Sequence, residues 1–187
     1  MRRLPKTLTR EEATRLLAAP NKSCPTGLRN RCILQLMYRG ALRVSEVVAL
    51  RPQDIDWETG LVRIVEGKGA RDRNIYIDEH TLDLLRLWSE RRPRSPWFFC
   101  TLSGRPVSTV YIRAMIKRMA RRAGITRRIY PHMLRHTFAT ERLSEGWSIR
   151  EVQEYLGHAD IRTTQIYTHV SPEDLRRRVA QLRPLTV

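Results

Sequence analysis

Residues 131–140 read Pro-His-Met-Leu-Arg-His-Thr-Phe-Ala-Thr, and Pro131 precedes a helix that is predicted over 132–145 and ended by Gly146. His132 and Arg135 are three residues apart at the start of this helix, so the two side chains share one face. The N-terminus of a helix also favours an anion. The stretch therefore predicts a helix whose first turn presents two basic side chains to an anionic group.

Signals for helix starts and ends recur on both sides of this stretch. Thr9 with Glu12, and Ser148 with Glu151, have the spacing of capping boxes. The predicted helices lie near 10–19, near 27–39, in a short segment opened by Ser45 and Glu46, near 79–90 after Asp78, from Ser108 to Gly124, over 132–145, from Ser148 to Gly157, and near 161–168 and 172–182.

Two short apolar segments interrupt the helical pattern. Leu61–Val65 and Asn74–Ile77 have the composition of β-strands, and the link over 66–73 contains the glycines of a hairpin. The predicted fold class is α+β and mainly helical, with one small antiparallel sheet. We expect a single domain over residues 1–187.

The distribution of charge indicates a polyanionic partner. The chain has 35 Lys and Arg against 19 Asp and Glu, a net charge of +16. Residues 91–140 contain twelve basic residues and no carboxylate, so this segment cannot neutralise itself locally. Nucleic acid is the commonest partner of such a surface, and a solvated basic face without a specific role is the alternative.

Composition also indicates a compartment. No apolar run approaches the roughly 20 residues that span a bilayer, and the basic N-terminus lacks the apolar core of a signal peptide. The three cysteines form no Cys-x-x-Cys pair. We therefore expect a reduced, cytoplasmic setting and no membrane partner.

Several polar residues occupy unusual positions. Arg43 interrupts an apolar stretch, Lys68 lies between two glycines of the hairpin, and His158 follows a Leu-Gly helix end. Tyr167 lies nine residues later among threonines. Each has an ordinary explanation when taken alone: a helix cap for Arg43, a turn lysine for Lys68, and a half-buried core tyrosine for Tyr167.

Taken together, these residues suit phosphoryl transfer. Two arginines can bind the non-bridging oxygens of a phosphate in bidentate fashion. A lysine can protonate a leaving alkoxide, and histidines can donate to the phosphate or accept a proton. A tyrosine can attack the phosphorus and hold the strand covalently.

At these positions the sequence resembles the tyrosine recombinase family, also called the phage integrases. Among its members it is most similar to the bacterial chromosome-dimer-resolving and integron-type recombinases. The resemblance covers essentially the whole chain, and its blocks follow one another in the family's order. They are Ala41–Glu46, Gly67–Gly69, Pro131–Thr140, Leu156–His158 and Thr163–His169.

The resemblance implies a role for each catalytic position. Arg43 and Arg135 are similar to the family's paired arginine clamp, and His158 to the second histidine, which binds the phosphate. Lys68 is similar to the hairpin lysine that acts as general acid for the 5′-hydroxyl leaving group.

His132 and Tyr167 complete the set that the resemblance implies. His132 matches the family's acid/base histidine. Tyr167 matches the nucleophile that forms a 3′-phosphotyrosine. This chemistry requires neither ATP nor a metal, so no cofactor is expected.

The resemblance further implies double-stranded DNA as the partner. It implies a homotetramer on DNA, with a monomer as the alternative for the free protein. The Ser171 and Asp174 spacing predicts a C-terminal helix near 172–182. The resemblance implies that this helix docks on the neighbouring subunit, and the alternative is that it folds back on its own domain. The family's additional N-terminal DNA-clamping domain has no counterpart here, so we expect either a fragment or a naturally minimal enzyme. The expected DNA-binding residues are Arg71, Arg73, Arg105, Arg113, Lys117, Arg118 and Arg121.

Three other hypotheses compete with this one. His132 and His136 have the i, i+4 spacing of zinc ligands, with His158 as a third candidate, but Met133 replaces the glutamate of the zinc protease motif. A buried histidine that supports its helix is the simpler explanation of His136. The remaining alternatives are a non-catalytic DNA-binding protein and a DNA strand transferase of the type IB topoisomerase kind.

Overall fold

Seven α-helices and two β-strands build the part of the chain that the structure describes. The structure is a computed structural model, and it describes residues 7–65 and 72–157. The mainly helical α+β class that the sequence predicts is confirmed. The elements are α1 (Arg10–Ala18), α2 (Pro25–Arg39), α3 (Val44–Ala49), β1 (Leu61–Ile64), β2 (Arg73–Tyr76), α4 (Glu79–Arg91), α5 (Thr109–Arg122), α6 (Pro131–Ser144) and α7 (Ile149–Leu156), with a 3₁₀ turn at Pro52–Asp54.

The two strands form an antiparallel pair in which Val62 lies opposite Ile75. Both of these side chains are buried, whereas Arg63 and Asn74, the next opposed pair, are exposed. This alternation is the period of two expected for a sheet that packs on a core with one face only. Each strand differs from its predicted bounds by one residue at each affected end, and the link over 66–71 lies outside the described residues.

Helix α2 passes through the middle of the hydrophobic core. It packs against α1, α3, α4 and α6. Its apolar side chains Leu28, Cys32, Ile33, Leu36 and Met37 are all buried, in one cluster with Trp88 and Phe98. Burial of each large apolar side chain contributes about 1.5–3 kcal/mol relative to exposure. The core thus holds α6 against a central helix.

A second, smaller apolar cluster joins α6 to α7. Phe138 and Ala139 from α6 pack with Val152 and Leu156 from α7, and Ala41 completes the cluster. Ala41 belongs to the turn between α2 and α3. The cluster therefore brings the end of α7 next to the turn that precedes Arg43.

Helix α3 begins earlier than the sequence predicts. Ser45 and Glu46 were expected to open it, but the first helical residue is Val44 and Arg43 occupies the N-cap. The backbone N–H of Arg43 donates to the carboxylate of Glu46 at 2.8 Å, which stabilises the earlier start. The other helix starts differ from prediction by two residues or fewer, within the usual uncertainty of helix ends.

Two sequence predictions about helices concern the end of the chain and the membrane. The helices predicted near 161–168 and 172–182 lie outside the described residues. Within residues 7–65 and 72–157, none of the helices has the length and apolar character needed to cross a bilayer.

Candidate active site

A cleft of about 470 Å³ opens between the starts of α3 and α6 and one face of α5. Arg43, His132 and Arg135, three of the predicted catalytic residues, line it together. Arg113 and Lys117 from α5 line the same cleft. Residues from distant parts of the sequence thus converge on one cationic surface, as the motifs predict. Arg128, which the sequence motifs do not single out, is a further cation of the cleft wall.

The start of α6 places His132 and Arg135 in the cleft. Pro131 occupies the first helical position, where its lack of an N–H costs no hydrogen bond. His132 is exposed, whereas Arg135 is only 5% exposed. The two terminal nitrogens of Arg135 donate to the carbonyl of Ala41, at 2.6 Å, and to the carbonyl of Leu156. These bonds fix the guanidinium at the base of the cleft.

The carbonyl of Ala41 belongs to a strained residue. Ala41 has φ +52°, in the left-handed region that L-residues with a side chain rarely adopt. The residue is also fully buried in the cluster between α6 and α7. The strained turn directs its carbonyl to Arg135 and leads the chain into Arg43 two residues later.

Arg43 is held from two sides. One terminal nitrogen pairs with the carboxylate of Glu46 at 2.7 Å, and the other donates to the carbonyl of Gly157 at 3.4 Å. About a third of the Arg43 side chain, 31%, remains exposed. Arg43 is therefore held in place while part of its guanidinium faces the cleft.

Glu46 is the carboxylate of this basic site, and the sequence predicts it only as part of a helix start. Burial acts to raise the pKa of Glu46, but the hydrogen bonds and charge of Arg73, the backbone N–H of Arg43 and the charge of Arg135 together lower it below its ordinary value. The available signal was the Arg-x-x-Glu spacing of Arg43 and Glu46, the spacing of a capping box.

The predicted DNA contact of Arg73 is not supported by its position. Its side chain is 7% exposed, and its guanidinium lies between Glu46 and α7. Two nitrogens donate to the two carboxylate oxygens of Glu46, each at 2.9 Å, and Nε donates to the carbonyl of Tyr155 at 3.0 Å. Unlike Arg135, Arg73 is not among the residues that line the cleft, and its three nitrogens are engaged inside the fold.

The other predicted DNA-binding residues that the structure describes lie on or near α5. Arg113 and Lys117 are exposed and line the cleft. Arg118 is exposed and lies over the Tyr111 ring, 5.6 Å from its centre. Arg105 and Arg121 are exposed before and at the end of α5. Four predicted site residues lie outside the described residues, namely Lys68, Arg71, His158 and Tyr167.

The two histidines of α6 do not complete a metal site within the described residues. The ring centres of His132 and His136 are 6.5 Å apart. Across residues 7–65 and 72–157, no group of three or more histidines, cysteines or carboxylates is arranged to hold a metal ion. Burial and the charges of His132 and Arg135 lower the pKa of His136, as expected for a half-buried histidine that supports its helix.

The fold and the site together define the class of protein: a mainly helical α+β domain with paired arginines in a cationic cleft. The chain belongs to the phage integrase family, whose family model matches residues 6–174. It is 43% identical over 191 residues to the tyrosine recombinase XerD of Ralstonia nicotianae. This alignment covers 97% of this chain and 61% of that protein.

Other known proteins agree with this assignment. A tyrosine recombinase XerC of Xanthomonas campestris pv. campestris is 40% identical over 94% of this chain and 55% of its own length. The chain therefore spans less than two thirds of either relative. The crystal structure of XerA recombinase superposes with a TM-score of 0.85 at 33% identity, covering 100% of this chain and 68% of that one. A post-cleavage complex of XerH site-specific recombinase with its palindromic difH substrate superposes with a TM-score of 0.80 at 30% sequence identity. This superposition covers 96% of this chain and 54% of that one.

Proposed function

We propose that this chain is the catalytic domain of a tyrosine site-specific recombinase, which cleaves and rejoins DNA strands through a covalent link to Tyr167. The observation that carries the proposal is the convergence of Arg43, His132 and Arg135 on one cationic cleft. Family membership and the recombinase names of the relatives support it.

The clamp arginines stabilise the charge that develops on the phosphate. Arg43 and Arg135 donate to the non-bridging oxygens of the scissile phosphate, and His158 adds a further hydrogen bond. Fixed cations and donors of this kind supply most of the rate enhancement in phosphoryl transfer, because they need no reorganisation during the reaction.

The bond changes involve three other side chains. The phenol oxygen of Tyr167 attacks phosphorus and forms a phosphotyrosine, and His132 accepts the phenol proton. The bond from phosphorus to the 5′ oxygen breaks, and Lys68 protonates the departing 5′ oxygen. Attack by a 5′-hydroxyl on the phosphotyrosine reverses these steps and releases Tyr167. The phosphodiester energy is retained in the link, so rejoining needs neither ATP nor a metal.

Double-stranded DNA is the proposed substrate, and the exposed cations of α5 beside the cleft are the proposed contacts to its backbone. The structure of XerH with its difH substrate supports this choice. We further propose that the chain acts in the cytoplasm as one domain over 1–187 and assembles as a homotetramer on DNA. Cytoplasmic action agrees with cysteines that are free at all three positions.

Covalent capture of DNA tests the proposal. Nicked duplexes that tile the DNA flanking the coding gene release a short fragment on cleavage, which traps the covalent intermediate for denaturing electrophoresis. The parent protein should form this adduct in the presence of excess EDTA. Tyr167→Phe should lose the adduct and keep its affinity for DNA, because affinity comes mainly from phosphate contacts.

Three results would contradict the proposal. An adduct that survives in Tyr167→Phe would identify another nucleophile. Binding without any adduct in the parent protein would instead favour a non-catalytic DNA-binding protein. Loss of the adduct in EDTA, with recovery on addition of magnesium or zinc, would replace the arginine-based mechanism by a metal-dependent one.

A further inference from the structure

The last turn of α7 is held by three arginines that come from three different parts of the chain. The carbonyls of Tyr155, Leu156 and Gly157 accept hydrogen bonds from Arg73, Arg135 and Arg43, in that order. The last carbonyls of a helix have no partner within the helix, and cations are favoured at this end. The three guanidiniums therefore fix this turn, after which the chain continues to His158.

From this arrangement we propose that Arg73 is a positioning residue for DNA strand cleavage. This inference about Arg73 rests on the proposed function, because the site that Arg73 positions is the proposed active site. Arg43 and Arg135 face the cleft and would bind the phosphate, whereas Arg73 lies behind them and would act through Glu46 and the end of α7.

Arg73 acts on the cleft first through its charge. Arg43, Arg73 and Arg135 surround the buried carboxylate of Glu46, which leaves two positive charges in excess. Without Arg73, the excess would fall to one, and Arg43, which already pairs with Glu46, would have to compensate more of its charge. Arg73 thus shares the charge of Glu46 with Arg43, so that more of the positive charge of the clamp arginines is available to a phosphate.

Arg73 also acts through direct steric contact with the end of α7. Gly157 has φ +65°, and a Cβ built on it would lie 2.8 Å from Cδ of Arg73. The Arg73 side chain therefore packs directly against the residue from which the chain leaves α7. Its position in β2 also ties this turn to the hairpin that carries Lys68. Displacement of reacting groups by about 1 Å can cost on the order of 100-fold in rate.

Single-turnover cleavage at saturating DNA tests this role separately from binding. The probe is the nicked duplex that the parent protein cleaves fastest among those that tile the flanking DNA. Arg73→Met is compared with Arg73→Lys, which keeps the charge but cannot bridge both carboxylate oxygens and the Tyr155 carbonyl. Arg63→Met is the matched control, because Arg63 is a hairpin arginine whose side chain is 62% exposed.

We expect Arg73→Met to slow adduct formation at saturating DNA by about 30–100-fold while the Kd for DNA changes by less than about 3-fold. Arg73→Lys should recover part of the lost rate, and Arg63→Met should cleave within about 2-fold of the parent protein. Rates are measured well below the melting temperature of each variant, so a purely structural loss would leave the saturating rate unchanged.

The opposite results are equally specific. A folded Arg73→Met that cleaves at the parent rate would overturn the role of Arg73 and leave the proposed function intact. A weaker Kd with a normal saturating rate would make Arg73 a DNA contact instead. If Arg73→Met does not fold, Arg73→Lys decides, and a parent-like rate overturns the proposal. A parent protein that forms no adduct would remove the proposed function itself.

Discussion

Arg73 and Glu46 are joined by two hydrogen bonds of 2.9 Å, one to each carboxylate oxygen, although 27 residues separate them in the sequence. Both side chains are buried, at 7% and 4% exposure. A buried ion pair is costly to form, and the loss of one partner is costly as well, because it leaves an uncompensated charge in the interior. The stability of the fold therefore depends on this pair in a way that surface pairs do not share.

Removal of the carboxylate should destabilise the protein strongly. We expect Glu46→Ala to lower the free energy of unfolding by about 3–5 kcal/mol, measured by urea denaturation. Glu79→Ala is the control, since Glu79 pairs with Arg86 on the surface and the loss should be below about 1 kcal/mol. Equal losses in the two variants would show that the buried pair contributes no more than an exposed one.

The pair between Glu12 and Arg127 should make stability depend on pH. Hydrogen bonds from Arg127 lower the pKa of Glu12 from 4.5 to about 2, against the opposing effect of burial. Because the folded-state pKa is depressed, the stabilisation is complete above 4.5 and is lost as the pH falls through about 2.

The measurement is urea denaturation of Glu12→Gln and the parent protein at several pH values. Glu12→Gln should be less stable at neutral pH, by about 1–2 kcal/mol, and the difference should shrink as the pH falls from 4.5 towards 2. Glu11→Gln, a substitution at the exposed neighbouring position, controls for net charge. A difference that stays constant over this range would exclude the pair as its cause.

Ala41 should tolerate glycine better than other buried alanines do. Its φ of +52° costs about 1–2 kcal/mol for a residue with a Cβ, and glycine removes this cost. Loss of the buried methyl offsets part of the gain, so Ala41→Gly should remain within about 1 kcal/mol of the parent protein.

Ala139 provides the control for this substitution. It is buried in the same cluster but lies within α6, where Ala139→Gly should cost about 1–2 kcal/mol through lost helix propensity and lost packing. Thermal denaturation of the two variants makes the comparison. A larger loss at position 41 than at position 139 would argue against strain in the turn.

DNA binding should depend steeply on salt. If about 6–10 phosphates are contacted, affinity should fall about 10³–10⁵-fold between about 50 and 200 mM salt. Lys117→Gln should reduce the slope of log Kd against log salt concentration by about 1, because Lys117 lines the cleft.

Arg86→Gln should leave that slope unchanged, since Arg86 is already paired with Glu79 and Asp83. Fluorescence anisotropy with a labelled duplex gives both slopes. A shallow slope for the parent protein would indicate a contact area much smaller than the charge suggests. An unaltered slope in Lys117→Gln would remove this residue from the contact surface.

Local signals allowed much of the fold to be predicted from sequence. The capping boxes at Thr9 and Ser148 start helices at the expected residues because both partners of each box lie within three positions. Gly157 ends α7 in the left-handed conformation that glycine favours. Helix α3 begins at Val44, one residue before the predicted Ser45, because Arg43, the cap residue, has no side-chain oxygen to mark the start.

The candidate site was predictable where motifs mark it. Arg43, His132 and Arg135 lie in distinctive motifs, and the structure brings all three to the cleft. The sequence predicts Arg73 as a DNA contact, whereas the structure buries its side chain. Its burial depends on Glu46 and Tyr155, 27 and 82 positions away, and no local pattern reports such contacts.

The arginines at the end of α7 donate hydrogen bonds to main-chain carbonyls rather than to side chains. This affects which residues of α7 can vary in sequence among relatives. A backbone carbonyl is present whatever residue supplies it, so the amino-acid sequence on the outer face of α7 is free to diverge. The helix could also be replaced as a unit by the corresponding segment of a relative. Two constraints remain. Val152 and Leu156 must stay apolar to fill their cluster, and position 157 must stay glycine because Arg73 occupies the space of a side chain. Divergence can therefore accumulate on this helix while the geometry of the cleft is inherited unchanged.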